Sequence, residues 1–211
     1  MARSNMPENL FRQEILAEFV EGEGAVFHRI MDNARLAGFR DGPQPGCSYV
    51  VGTDLAKHQD FTVSIALEVS SGQVHGMERY HHLDWPLVKQ RVKWFSEKWR
   101  APIWIDATGV GDPVFDDLSA DGLPIAPIKF TSESKSALVV ALCNAMEKGE
   151  ISYPPDPVLI AELEAFAYGE LPSGKFRYSA PEGMHDDCVM ALALATWGRL
   201  RRQNLTDYGW I

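Results

Sequence analysis

The sequence predicts an α/β domain: a mixed sheet, laid out as an antiparallel meander followed by alternating α and β elements, flanked by helices. Three observations carry this reading. Apolar runs recur between residues 48 and 80 with turn chemistry between them; beyond residue 84 helical periodicity alternates with short buried strands; and the chain closes on a long Ala/Leu-rich helix.

Taken in order, Ser48 to Thr53 is a first strand and Phe61 to Val69 a second, and Ser70-Ser71-Gly72 turns the chain back so that Gln73 to Tyr80 pairs as a third. Asp84 caps a helix from Trp85 to Trp99, with Pro86 tolerated in the first turn and Val88, Val92, Phe95 and Trp99 on one face. Ile103 to Asp106 is a short buried strand. Gly109-Val110-Gly111-Asp112-Pro113 leads into a short helix, Ile125 to Phe130 returns as a strand, and Ser134 to Lys148 is a helix stopped by Gly149. Asp156-Pro157 starts a further helix to Ala167. Glu170 to Tyr178 reads as a hairpin turning at Ser173-Gly174, and the last helix runs from Asp186 or Asp187 to about Arg202.

The start of the chain has a different character. Phe11, Ile15, Leu16 and Phe19 have helical spacing, Glu21-Gly22-Glu23-Gly24 breaks it, and Gly42-Pro43-Gln44-Pro45-Gly46 is a stiff linker. Residues 1–46 are therefore expected to form an N-terminal arm and linker, and residues 47–211 the folded domain.

With 211 residues, 45% of them apolar, the chain can bury one substantial core. A formal charge of -9 excludes a wholly basic nucleic-acid coat but leaves local basic strips: Lys89-Arg91-Lys93 with Lys98-Arg100, Lys175-Arg177, and Arg199-Arg201-Arg202. Cys47, Cys143 and Cys188 are odd in number, widely spaced and set in apolar surroundings, which predicts core thiols in a reducing compartment. Trp94, Trp99 and Trp104 are expected to pack in the core or between helices. No run approaches the roughly 18 apolar residues of a membrane span, and Met1-Ala2-Arg3-Ser4 opens no signal-peptide core, so an intracellular protein without membrane contact is expected.

The chemistry-bearing positions are acidic. Asp54 ends the first strand, Asp106 ends the fourth, and Asp186-Asp187 open the last helix, each interrupting an apolar context. Buried aspartates are rare unless paired or coordinating a cation, and hard oxygen ligands gathered from separate elements suit Mg2+ or Mn2+. The order β-β-β-α-β-α-β-α is the one associated with RNase H-like folds, in which the first and fourth strands lie side by side. Asp54 and Asp106 are then neighbours, with Asp186-Asp187 facing them from a helix N-terminus that favours negative charge.

At these residues the sequence resembles the C-terminal nuclease domain of the large terminase subunit of tailed double-stranded DNA phages. The resemblance runs in order through Phe11 to Phe19 with Gly24-Ala25-Val26-Phe27, Val51-Gly52-Thr53-Asp54 and Asp60-Phe61-Thr62-Val63. It continues through Ile105 to Gly111, Lys135 through Ile151, and His185-Asp186-Asp187. It implies an endonuclease that cuts concatemeric viral double-stranded DNA into packaged lengths in the host cytoplasm, using two Mg2+ or Mn2+ ions and little sequence preference. It further implies an ATPase motor domain, a small terminase subunit and a portal as partners. No phosphate-cradling P-loop pattern occurs here, so the chain reads as the nuclease half with the segment that joins it to a motor.

Carried over by position, Asp54 is the family's first acidic ligand, expected to bridge both ions, and Asp106 is the second. Asp186 and Asp187 share the third place, Asp187 being favoured as the residue held inside the helix, and His185 is a candidate for proton handling beside the ligands. Lys175 and Arg177 on the hairpin are the candidates for touching DNA phosphates. Two other readings remain open at this stage: a catalytically silent docking module of a packaging motor, and an actin-like ATPase suggested by Gly52-Thr53-Asp54, for which a second phosphate loop has no counterpart.

Overall fold

The computed structural model describes residues 25–55, 60–108, 111–170, 176–181 and 183–207. Its strands are β1 (Tyr49–Asp54), β2 (Thr62–Glu68), β3 (Val74–Tyr80), β4 (Ile103–Asp106), β5 (Ile125–Ile128), β6 (Ala167–Glu170) and β7 (Phe176–Ser179). Its helices are α1 (Ile30–Asn33), α2 (Trp85–Trp99), α3 (Gly111–Ala120), α4 (Ser132–Glu147), α5 (Pro157–Ala165) and α6 (Asp187–Asp207). Five strands form one sheet in the order β3-β2-β1-β4-β5, and β6-β7 is a separate hairpin. β1, β2 and β3 pair antiparallel, whereas β4 runs parallel to both β1 and β5. The predicted mixed sheet is thus realised, with the first and fourth strands adjacent.

Strand alternation divides the core into two layers. Val50, Val63, Ile65 and Leu67 face α4, α5 and the first half of α6. Tyr49, Val51, Ala66, Ile103 and Ile105 face α2 and α3 through Val88, Val92, Phe95, Trp99, Val114 and Leu118. Every residue from Cys188 to Ala195 is buried, so α6 is apolar all round in its first half and lies sunk against the sheet. Gly52 permits this, because β1 and α6 meet backbone to backbone at that point.

Local chemistry sets the element ends. Asp84 accepts from Leu87 N at the start of α2, which ends at Arg100 in the left-handed conformation (φ 51°). α4 starts at Ser132, two residues before the predicted start, because Thr131 and Ser134 close a capping box. Asp156 accepts from Val158 N and Leu159 N and starts α5.

Residues 25–41, assigned by sequence to the arm, lie against the domain: Val26 and Phe27 are buried, Asn33 Nδ2 donates to Met146 O (3.1 Å), and Tyr153 Oη donates to Ile30 O (2.9 Å). The helical spacing at Phe11–Phe19 falls outside the described residues. Cys143 and Cys188 are buried free thiols as expected, and Cys47 is half-buried. Trp99 is buried and Trp104 packs at the core edge, but Trp94 is 51% exposed. Trp94 sits on the outward stripe of α2 with Leu87, seven residues apart, while the inward stripe is filled by Val88, Val92, Phe95 and Trp99. Among the described residues no helix is long and apolar enough to cross a membrane.

Candidate active site

β1 and β4 pair with Thr53 opposite Ile105, so the next residues, Asp54 and Asp106, leave the sheet side by side at the carboxyl ends of parallel strands. This follows from placing β4 beside β1, and it brings together two carboxylates 52 residues apart in sequence. The end of β2 that pairs with Asp54 begins just after Asp60 and Phe61, which brings Asp60 to the same rim. α6 opens there too, supplying Asp186 just before it and Asp187 in its first turn.

The electrostatics mark a crowded cluster. Burial first, and then the negative charges of Asp187, Asp106 and Asp186, push the Asp54 carboxyl well above the usual range, with Lys135 pulling the other way. Burial also raises Asp106. Hydrogen bonds from Thr108 and the charge of Lys135 offset part of that rise. Thr108 N (2.8 Å) and Thr108 Oγ1 (2.5 Å) both donate to Asp106 Oδ1, and Phe130 N donates to Thr108 Oγ1 (2.7 Å), tying the loops after β4 and β5 together under the carboxylate.

Asp187 is 6% exposed and is held by a brace. Phe61 N donates to its Oδ2 (3.2 Å), and the Arg79 guanidinium lies over the Phe61 ring at 3.2 Å. Arg79 also reaches Glu162 Oε1 (3.6 Å), while Glu162 Oε2 accepts from Cys188 N (2.7 Å), satisfying a free donor in the first turn of α6. His185 Nδ1 stands 3.5 Å from both Asp60 Oδ1 and Asp187 Oδ2, its ring edge-on to Phe61. Asp186 points to a different partner, accepting from Lys135 Nζ at 3.0 Å.

Every sequence-predicted carboxylate, and His185, therefore belongs to one rim. Lys175 lies outside the described residues, and Arg177 is in β7, paired with Gly169 of β6. The other basic strips are largely committed. Lys93 bridges to Asp121 (2.8 Å) and Lys89 to Asp117, linking α2 to α3, and Arg199 Nε donates to Val69 O (2.9 Å). Asp60, Thr108, Lys135 and Glu162 were not identified as site residues by sequence reasoning. Asp60, Thr108 and Lys135 lie within the stretches that carry the family resemblance, but the local signals that single them out are short: an Asp directly before the second strand, and a Thr two residues after a strand-ending Asp.

The donor set fits a divalent cation. Ligand atoms of Asp60, His185 and Asp187 all lie within 4.8 Å of one another, and the carboxylates around Asp54 repel each other, a cost that a cation removes. The titration of Asp187 gives a direct check. Burial, followed by the charges of Glu162 and Asp60, raises it from 3.8 to about 6, against the Phe61 hydrogen bond and His185. Its contribution to stability is therefore complete below about 3.8 and is lost as pH rises through about 6. Asp187→Asn, which keeps an acceptor for Phe61 N, is expected to gain on the parent in metal-free melting temperature between pH 5 and pH 8. A gap that stays constant across that range would show that Asp187 does not ionise there.

A five-stranded mixed sheet of this order, with carboxylates gathered at the ends of β1 and β4 and at the start of α6, is an RNase H-like fold with an acidic centre. The family described as the terminase RNaseH-like domain matches residues 51–197, and the chain belongs to that family. The large terminase subunit of Thermus phage G20c is 34% identical over 202 residues, covering 92% of this chain and 42% of that protein. The large terminase subunit of Thermus virus P23-45 gives the same identity and coverage. The chain thus spans less than half the length of these curated relatives. Among solved structures, the large terminase nuclease of phage G20c with bound magnesium has a TM-score of 0.77 at 31% identity, covering 83% of this chain and 98% of that one. The large terminase nuclease domain of Thermus phage P74-26 has a TM-score of 0.73 at 30% identity, with 82% and 94% covered.

Proposed function

We propose that this chain is a metal-dependent endodeoxyribonuclease that cuts concatemeric viral double-stranded DNA during genome packaging, inside the host cell and with little sequence preference. The observation that carries the reading is the gathering of Asp54, Asp106, Asp186 and Asp187 at the ends of β1 and β4 and the start of α6, where burial, and then the charges of Asp187, Asp106 and Asp186, raise the Asp54 carboxyl. Metal-bound relatives with the same fold support it. Two Mg2+ or Mn2+ ions, when bound, would screen the phosphodiester, activate an attacking water and steady the leaving 3'-oxygen.

The chain's own residues do the positioning. Asp54, Asp106 and Asp187 would hold the cations, with Asp186 as a further ligand. Thr108 fixes Asp106 through Oδ1 and leaves Oδ2 outside those two bonds. Phe61 N fixes Asp187. His185, between Asp60 and Asp187, can hold a proton at Nδ1 and hand it across the rim. Lys175 and Arg177 are the proposed phosphate contacts, which would give affinity without base reading. Cut ends carry 5'-phosphate and 3'-hydroxyl. In the packaging machine an ATPase motor domain, a small terminase subunit and a portal bring DNA to the site, and residues 1–46 lead toward the motor, with Val26 and Phe27 already seated in the nuclease core.

The purified chain is expected to nick and linearise plasmid DNA in Mn2+ at least as well as in Mg2+, because an all-oxygen carboxylate set accepts either ion, and not at all in EDTA. Cleavage that persists after exhaustive chelation would remove the metal mechanism.

A further inference from the structure

Lys135 enters the acidic rim from the first turn of α4, and that turn is firmly held. Thr131 Oγ1 accepts from Ser134 N (3.1 Å), the Ser134 hydroxyl donates to Lys129 O (2.8 Å), and Lys135 N donates to Thr131 O (2.9 Å). The ammonium that this frame projects lies 3.0 Å from Asp186 Oδ2, with the two side chains only 26% and 25% exposed. Its charge is also felt at Asp54 and Asp106, so one lysine serves three of the five aspartates of the rim. A lysine facing a phosphate track would need no partner among the carboxylates. This one is paired where a cation ligand would be expected.

A tethered ammonium and a divalent cation are alternative partners for the same carboxylate edge, and two cations close together repel. We propose that Lys135 is the protein's own counter-cation for this rim, a positioning residue that competes with divalent metal for Asp186 and raises the metal concentration at which the site loads. The inference rests on the nuclease reading for the identity of the competing cation. Its consequence is a site that stays charge-balanced at low metal and fills over a higher concentration range than the carboxylates alone would set.

The test is calorimetric titration of Mn2+, without DNA, into the metal-free parent, Lys135→Met, Lys135→Gln and Lys135→Arg, with melting temperatures measured alongside. Removal of the charge in the Met and Gln variants is expected to tighten Mn2+ binding by about three- to fivefold, the upper part of the range for an exposed ion pair. Both should melt below the parent without metal and close that gap at saturating Mn2+. Lys135→Arg, which keeps the charge, should stay within about twofold of the parent. The Gln variant keeps a donor for Asp186, so the measurement stands even if the Met variant folds poorly. Mn2+ affinity that is unchanged or weaker in both neutral variants, with the parent binding normally, overturns the competition alone. A parent that takes up no Mn2+ overturns the nuclease reading and the competition with it.

Discussion

Asp54→Asn is expected to lower plasmid cleavage by several orders of magnitude while leaving the metal-free protein at least as stable as the parent. Asn preserves size and most hydrogen bonding but removes the charge needed to hold cations at the end of β1. The stability half of the expectation follows from the raised Asp54 carboxyl. Burial and three neighbouring aspartates penalise its ionised form, so its contribution to stability is complete below the ordinary value of 3.8 and is lost as pH rises through the folded value. In neutral buffer the parent bears much of that penalty, and Asn relieves it. Added Mn2+ stabilises whichever state binds it, so the Mn2+-induced rise in melting temperature should shrink in the variant as fewer ions bind the native state. A silent docking module predicts something else: no cleavage by the parent and no metal-dependent shift. Nuclease activity and melting temperature of both proteins, each with and without Mn2+, separate the two readings, and an active Asn variant would take Asp54 out of the mechanism.

Much of this arrangement was legible in the sequence because it rests on order and period. The meander, the helix from Trp85 to Trp99 and the terminal helix are written in local spacing, and the strand order that sets Asp54 beside Asp106 comes from the RNase H-like fold with which that succession of elements is associated. Contacts that depend on how elements sit on one another were not legible. Lys135 meets Asp186 only because α4 and α6 lie on the same face of the sheet, and Asp60 meets His185 across 125 positions of sequence. The neutralised basic strip belongs to the same class. Lys89 and Lys93 are four apart on α2, and their partners Asp117, in α3, and Asp121, just past its end, are also four apart, a match that has meaning only once the two helices are known to be neighbours. Val26 and Phe27 enter the core from a stretch with no helical or strand period, so nothing local announced their burial. Trp94 was misread for another reason: the stripe Val88, Val92, Phe95 and Trp99 already fills the inward face of α2, and a Trp one residue before Phe95 falls outside it.

The close approach of α6 to β1 leads to the second large effect, at a residue with no chemistry of its own. A Cβ on Gly52 would lie 2.2 Å from Ala191 O, 2.3 Å from Ala195 N and 2.9 Å from Ala195 Cα. All three are backbone atoms of a buried helix, so no side chain can rotate away and α6 itself must lift from the sheet. Overpacking of this kind costs about 3 kcal/mol, and at about 2–4 °C per kcal/mol for a domain of this size the melting temperature of Gly52→Ala should fall by roughly 6–12 °C. Cleavage should fall further than stability alone explains. Asp187 sits in the first turn of the displaced helix, braced to Phe61 and next to the Glu162 bond at Cys188 N, and a shift of about 1 Å at a positioned group can cost roughly a hundredfold in rate. Gly38→Ala is the matched control: no atom lies within 4 Å of the added carbon, so its melting temperature should match the parent's or rise slightly. If Gly52→Ala melts with the control and cuts at the parent rate, the backbone contact between β1 and α6 does not set the position of Asp187.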